Sequence, residues 1–307
     1  MTAPRAASMF AQPSALRSAP FVAVLPAVLP ALLVAALLAA LVPLAGCATA
    51  PAAIEPPIVV PLEVRNGLPT VTATIGGVPL RLFLDLGAYS AVALTGAELQ
   101  RVPVRVLPEP IRSTNAAGDI VESRRFVAPD VVLGGVALGD LDGNEFAFPA
   151  NFAPPDRNGY LGFALHSLFL LVFDYGGGAL RLYRTGATDA LRRECGTQSF
   201  AIDVVNGIAQ STVATGHGTR VFSWDTGSRR SVVRPSVVGQ SPGPGSAGTG
   251  VATRQIGSFV LGGRELGPQT FVLIDYRGIT VDGVLGTDFF ATRVVCLDIG
   301  RGVGAVR

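Results

Sequence analysis

The chain has 307 residues, with 24 Lys and Arg against 22 Asp and Glu, and its basic residues are scattered, which argues against an electrostatic footprint for nucleic acid. Hydrophobic residues make up 49% and charged residues 15%, while Gly and Pro number 37 and 23. That balance argues against long helices and for many short strands joined by turns, in a chain long enough to bury a substantial core in two domains.

Arg5 and Arg17 precede an uncharged apolar stretch over residues 19–45, which ends in Leu44-Ala45-Gly46-Cys47 and a Pro-rich tract. This order of charge, apolar run and small residues marks a processing segment. The small residues before Cys47 resemble the lipobox of bacterial lipoproteins, in which the cysteine is lipidated and becomes the mature N-terminus. The resemblance implies a signal peptide over residues 1–47, a lipid on Cys47, and a place in the cell envelope facing the periplasm. Ala48, where an Asp would retain some lipoproteins in the inner membrane, leans toward the outer one. An uncleaved anchor is the alternative, since about 20 apolar residues span a bilayer; Pro26, Pro30 and Pro43 favour export. Either way the rest of the chain lies outside the cytoplasm, and residues 48–61, rich in Pro and Ala, read as a tether. With Cys47 lipidated, Cys195 and Cys296 remain. An oxidising compartment would let them pair, but spacing leaves both a disulfide and two separate thiols open.

Folded structure is expected from Leu62-Glu63-Val64, followed by Asn66-Gly67, a strong hairpin signal, and the alternating run Thr70-Val71-Thr72-Ala73-Thr74-Ile75. Gly76-Gly77 turns the chain into an apolar strand that delivers Asp85 into Asp85-Leu86-Gly87-Ala88. The same entry recurs 140 residues on: Asn206-Gly207 matches Asn66-Gly67, Gly216 matches Gly76, and Val221-Phe222-Ser223-Trp224 delivers Asp225 into Asp225-Thr226-Gly227-Ser228. Later landmarks repeat with shorter offsets. Val132-Leu133-Gly134-Gly135 returns as Val260-Leu261-Gly262-Gly263, Gly159-Tyr160-Leu161-Gly162 as Gly283-Val284-Leu285-Gly286, and Asp174 as Asp298. An internal duplication follows, with repeats over residues 62–190 and 191–307. Each reads as hairpin, acid turn, loop, hairpin, Gly-rich turn, short helix and closing strand.

Between acid turn and second hairpin each repeat carries a loop suited to cover a cleft, with Asn115 and Gly118 as candidate flap residues in the first and Gly248 and Gly250 in the second. The second loop is Gly-rich but has no phosphate-binding Lys and precedes no helix, so it is not a P-loop. His166 and His217 have no companions for a metal site or a triad, and no metal or other cofactor is expected. Asp282 and Asp288 read as turn and cap residues.

Asp225-Thr226-Gly227-Ser228 after an apolar strand, with Asp282-Gly283-Val284-Leu285-Gly286-Thr287-Asp288-Phe289-Phe290 downstream, resembles one lobe of the retropepsin and pepsin clan of aspartic proteases. The first repeat resembles the other lobe, so the likeness covers residues 62–307. It implies an all-β, bilobal acid-protease fold of two tandem lobes, with Asp85 and Asp225 as a catalytic dyad at the floor of a cleft and Gly87, Thr226, Gly227 and Ser228 supporting it. The implied activity is hydrolysis of peptide bonds in a polypeptide substrate by a monomeric endopeptidase, held at the membrane by its N-terminal lipid. Two such carboxylates share a proton, because charges about 4 Å apart at an effective dielectric of ~20 repel by about 4 kcal/mol. The first motif departs from the family at Leu86, where a Thr or Ser hydroxyl braces the opposite lobe. The alternative is therefore an envelope lipoprotein that keeps the fold and binds peptides without cutting them.

Overall fold

The structure is a computed structural model that describes residues 56–114, 118–147, 158–162, 168–239, 252–276, 278 and 280–307. Three large sheets carry the chain: one of eight strands in the first lobe, one of nine in the second, and one of six shared by both. The all-β bilobal fold is therefore present, with the lobes joined through strands as well as through a linker.

Each lobe is built on the entry hairpin expected from its Asn-Gly pair. Asn66 and Asn206 take φ of 48° and 52°, and Gly67 and Gly207 take 73° and 76°. Positive φ at both central residues is what a two-residue hairpin needs, and Asn and Gly tolerate it best. Strand Leu68–Ile75 then pairs antiparallel with Val78–Leu84, and Ile208–Thr215 with Gly218–Trp224. Against each acid-bearing strand lies a short parallel one: Gly159–Leu161 beside Val78–Leu84, and Gly283–Leu285 beside Gly218–Trp224.

The repeated Gly-x-x-Gly is required by close approach at these crossings. A Cβ at Gly159 would come 1.8 Å from the Ala93 carbonyl oxygen, and one at Gly283 would come 2.2 Å from the Phe222 ring. At the second positions, a Cβ on Gly162 would lie 2.2 Å from the Ser90 oxygen and one on Gly286 2.6 Å from that of Arg230. Any side chain there would push the acid turn out of place.

The six-stranded sheet takes strands from both repeats, in the order Ile58–Pro61, Ala179–Arg184, Phe169–Asp174, Val294–Asp298, Val303–Val306, Ser199–Ala201. Its central pair joins the two closing strands antiparallel, Leu171 opposite Leu297 and Phe173 opposite Val295. Alternation gives this sheet two faces. Leu171, Phe173, Leu180, Leu182 and Leu297 enter a core continuous with both lobes, whereas Leu170, Val172, Tyr183 and Ala305 pack under Ala190, Leu191 and Cys195 of the helix Thr188–Cys195. Cys195 and Cys296 form a disulfide, tying that helix to a central strand of the sheet. Asp298, 2% exposed, completes the junction by accepting from Thr185 Oγ1 at 2.6 Å and the Gly186 N–H at 3.0 Å.

Two boundaries differ from the sequence reading. Ile58–Pro61, assigned to the tether, is an edge strand of the shared sheet, paired with Ala179–Arg184; its Pro61 closes the strand, where a missing donor costs least. The division between residues 190 and 191 falls inside the helix Thr188–Cys195, whose eight residues are too few to show a helical period. Cys47 and the rest of the signal and lipobox segment lie outside the described residues.

Candidate active site

The two acid turns are near copies. The Asp85 N–H donates to the Leu161 carbonyl at 2.9 Å and the Asp225 N–H to that of Leu285 at 3.1 Å, so the parallel crossing strand fixes where each acid leaves its own strand. The next reverse turn closes with Ala88 N–H to Asp85 C=O and Ser228 N–H to Asp225 C=O, both at 3.3 Å. Each carboxylate is then held by its own turn. Asp85 Oδ1 accepts from the Gly87 N–H at 3.0 Å; Asp225 Oδ1 accepts from Gly227 and Ser228 at 2.8 and 3.0 Å.

The glycines also explain how the carboxylates meet. A Cβ on Gly87 would lie 2.6 Å from Asp225 Cγ, and one on Gly227 would lie 2.5 Å from Asp85 Cγ. Each carboxylate thus rests on the bare backbone of the opposite turn, and the two hydrogen-bond each other. Burial pushes the Asp85 carboxyl well above the usual carboxylate range, and the nearby Asp225 charge pushes it further. Burial raises Asp225 as well, but the Gly227 and Ser228 N–H groups and a hydrogen bond from Asp85 oppose the shift. The pair therefore shares a proton over a range in which a lone carboxyl would be ionised.

Thr226, fully buried, bridges the lobes: its Oγ1 donates to the Leu84 carbonyl at 2.8 Å and accepts from the Leu86 N–H at 3.1 Å. Thr287 Oγ1 in turn donates to the Thr226 carbonyl at 3.1 Å. Leu86 returns no hydroxyl. Its side chain, 2% exposed, instead belongs to the apolar core and, with Leu171, Phe173 and Leu180 of the shared sheet, lines a small void beside its turn. The first turn thus has apolar packing where the second has a polar bridge. Thr226→Val keeps the volume but strips a partner from two buried backbone groups, each about 1–3 kcal/mol. A loss of about 2–4 kcal/mol is expected in thermal melting, with most of it recovered by Thr226→Ser; a Val variant that melts like the parent would show that the hydroxyl does not hold the lobes.

Further residues support the turns from outside the sequence-identified set. Asn158 and Asp282 stand immediately before the two crossing strands. Asn158 Oδ1 accepts the Arg81 N–H at 2.7 Å and Asp282 Oδ2 the Val221 N–H at 2.8 Å, while the N–H of each donates back to the same strand residue's carbonyl. Asp282 therefore clamps the acid-bearing strand rather than merely closing a turn; the signal was its matching place in the duplication, with Asn in one copy and Asp in the other. Asp288 does not cap its helix. It accepts from the Ser231 N–H and Oγ, both at 2.7 Å, bracing the segment after Asp225, and Arg230 Nε reaches it at 3.3 Å. Tyr160 was not expected: 8% exposed, it packs against Phe83 and Phe146, hydrogen-bonds Ser90, and lies near enough for the Asp85 charge to help burial keep its hydroxyl protonated.

The structure thus brings together Asp85, Asp225, Gly87, Thr226, Gly227 and Ser228, and pairs Cys195 with Cys296. Gly118 lies in a separate two-stranded hairpin, Ile111–Thr114 with Ile120–Ser123. Asn115, Gly248, Gly250 and His166 lie outside the described residues, and His217 sits in an exposed turn. Among the described residues no cluster of His, Cys, Asp or Glu could hold a metal ion.

No protein-family model matches the chain, and no curated relative does. Among solved structures it is similar to the crystal structure of an aspartic proteinase from Irpex lacteus, with a TM-score of 0.52 and 12% identity over 81% of this chain and 96% of that one. Basic 7S globulin from soybean aligns with a TM-score of 0.47 and 11% identity over 82% and 94% of the two chains. The first likeness is one of fold, the bilobal fold of an aspartic proteinase.

Proposed function

We propose that the chain is an aspartic endopeptidase of the cell envelope, hydrolysing peptide bonds of polypeptide substrates through Asp85 and Asp225. The observation that carries this is the half-buried carboxylate pair, each acid seated on the glycine of the opposite turn. Asp225, whose ionised form is favoured by two backbone N–H groups, acts as the base and takes a proton from the attacking water. Asp85, protonated, donates to the scissile carbonyl oxygen as it gains charge. The proton held by Asp225 then passes to the departing amine, and Asp85 recovers its own as the carbonyl re-forms. Both acids come from one chain, so a monomer completes the site. The lipobox-like segment ending at Cys47 supports attachment through lipid, with the folded part facing the periplasm, on the outer membrane by the reading of Ala48.

The test is incubation of the full-length chain, purified in detergent, with denatured polypeptide from acidic to neutral pH, products being read by mass spectrometry. Cleavage should follow a bell-shaped pH profile, because one proton must stay on the pair: protonation of Asp225 ends it on the acid side and ionisation of Asp85 on the alkaline side. Both limbs should lie above the ordinary Asp value of about 3.9, since both groups are raised. Absence of cleavage at every pH would overturn the proposal.

Leu86 favours one second reading, a protein that binds peptides in this cleft without cutting them. Leu86→Thr separates the two. By the pseudo-two-fold relation to Thr226, its hydroxyl would reach the Thr226 N–H and the Trp224 carbonyl. Turnover should rise about tenfold if the bridge steadies the dyad by about 1.4 kcal/mol, while lost apolar burial lowers stability by about 1–2 kcal/mol. Peptide binding with no turnover in either form would favour the binding protein.

A further inference from the structure

Each crossing strand is entered through a residue that clamps the acid-bearing strand, Asp282 in the second lobe and Asn158 in the first, and the two are not chemically equivalent. A carboxylate offers two like oxygens, so Asp282 can accept the Val221 N–H, at 2.8 Å, whichever way it turns. An amide offers one oxygen and one NH2 group. Asn158 holds the Arg81 N–H at 2.7 Å only while its Oδ1 faces that strand; turned over, it would set an N–H against an N–H. Its orientation has to be fixed by something else.

Glu98 does this from 60 residues away in sequence. Asn158 Nδ2 donates to Glu98 Oε1 at 2.7 Å. A carboxylate only accepts and a backbone N–H only donates, so the two partners together admit one orientation of the amide. Glu98 is 7% exposed, and Arg101 Nη1 holds both of its oxygens, at 2.9 and 2.8 Å. The Glu98 N–H reaches Thr95 Oγ1 at 3.4 Å, and the Thr95 N–H donates to the Asn158 carbonyl at 3.0 Å. One short segment thus grips Asn158 by side chain and main chain. Burying a carboxylate is costly even when it is paired, and this one takes no part in the chemistry assigned to the dyad. Both supports of Asp85, however, start at Asn158. Arg81 lies on strand Val78–Leu84, which runs into Asp85, and Asn158 leads into Gly159–Leu161, whose Leu161 carbonyl accepts the Asp85 N–H at 2.9 Å.

We propose that Glu98 is a positioning residue for Asp85: by locking the Asn158 amide it holds the acid-bearing strand to the crossing strand, and so fixes where the first carboxylate meets the second. This rests on the reading of Asp85 and Asp225 as the active site. Because Glu98 acts through Asn158 rather than on substrate, its loss lowers turnover and leaves KM nearly unchanged. The same bonds can also be kept with the two partners exchanged. With Glu98→Gln and Asn158→Asp together, the new amide donates to the new carboxylate, its oxygen accepts from Arg101, and the carboxylate still takes the Arg81 N–H.

Three full-length variants in detergent provide the test: Asn158→Asp, Glu98→Gln and the two combined. Cleavage of denatured polypeptide gives turnover and KM. Hydrogen exchange, read by mass spectrometry, compares residues 78–85 with their mates 218–225, an internal control that global loosening would move equally. Asn158→Asp sets two carboxylates against each other; it should cut turnover and speed exchange over 78–85 about tenfold, with KM and residues 218–225 unchanged. Glu98→Gln leaves the facing amides free to turn over and should do the same about threefold. The combined variant should bring both readouts back to within about twofold of the parent. If Asn158→Asp does not fold, Glu98→Gln set against the combined variant carries the same comparison. Losses that add in the combined variant, exchange that rises equally in both strands, or turnover untouched by the single changes overturns the inference and leaves proteolysis standing. The exchange pattern and its rescue, with no cleavage even by the parent, supports the inference and overturns proteolysis; neither rescue nor cleavage overturns both.

Discussion

Asp225→Asn is expected to lower cleavage of denatured polypeptide at least about a thousandfold, near the upper range for a lost acid–base group, while leaving the fold intact. The Asn carbonyl oxygen can still accept from the Gly227 and Ser228 N–H groups, which now hold Asp225 Oδ1 at 2.8 and 3.0 Å, and its amide can donate to Asp85. What it cannot do is take a proton from water. Cleavage surviving at parental rate would remove Asp225 from the mechanism.

The same variant carries a stability signature of opposite sign. Both acids titrate higher folded than unfolded, so between the ordinary carboxyl pKa and the raised ones the folded state binds more protons. The stability from the pair is therefore fully present below about pH 3.9 and lost as pH rises through the folded pKa values. Each pK unit of upward shift costs about 1.4 kcal/mol at neutral pH, and each kcal/mol is worth about 2–4 °C in a domain of this size. Asp225→Asn should thus melt several degrees above the parent at neutral pH, with the gap closing at low pH. A variant melting below the parent at neutral pH would mean that the pair does not carry this cost. A site kept at the expense of stability is what a proton-sharing dyad requires.

The second large effect concerns the Cys195–Cys296 disulfide. Its ends are 101 residues apart in sequence, and closing a loop of that size restricts the unfolded chain by about 4–5 kcal/mol. Replacing both cysteines with Ala should lower the melting temperature by roughly 10–15 °C, and reductant should act on the parent alone. A parent whose melting ignores reductant would show that the bond does not stabilise the fold. The consequence reaches the site, because Cys296 stands opposite Val172 in the central strand pair, and Leu171, the neighbour of Val172, shares the core and a small lined void with Leu86. Loosening the sheet loosens the floor of the first acid turn.

The acid turns were legible because their specification is local. An apolar strand, an acid and a glycine are consecutive, and duplication places the same signals at one offset in both repeats. Asn66-Gly67 and Asn206-Gly207 were equally readable, since a two-residue turn with positive φ admits few other residues. The shared sheet was not: its six strands come from separated parts of the chain, and pairing between Leu171 and Leu297 leaves no periodic mark in either segment. The helix Thr188–Cys195 was missed for its shortness, and Ile58–Pro61 because prolines in a segment read as linker when the partner strand is unseen.

Leu86 shows the division most plainly. From sequence it is a missing hydroxyl, because only its place after an acid is visible there. In the fold it is a core residue of the cluster that includes Leu171, Phe173 and Leu180, securing the first acid turn by apolar burial, while Thr226 ties the second turn to the first by hydrogen bonds to Leu84 and Leu86. Order along the chain was enough to establish two matched acids and the lobes that carry them, since strands, turns and their spacing are written locally. Which glycine each carboxylate rests on, and how far burial raises the pair, depend on contacts between residues more than a hundred positions apart, and these exist only once the two halves are folded against each other.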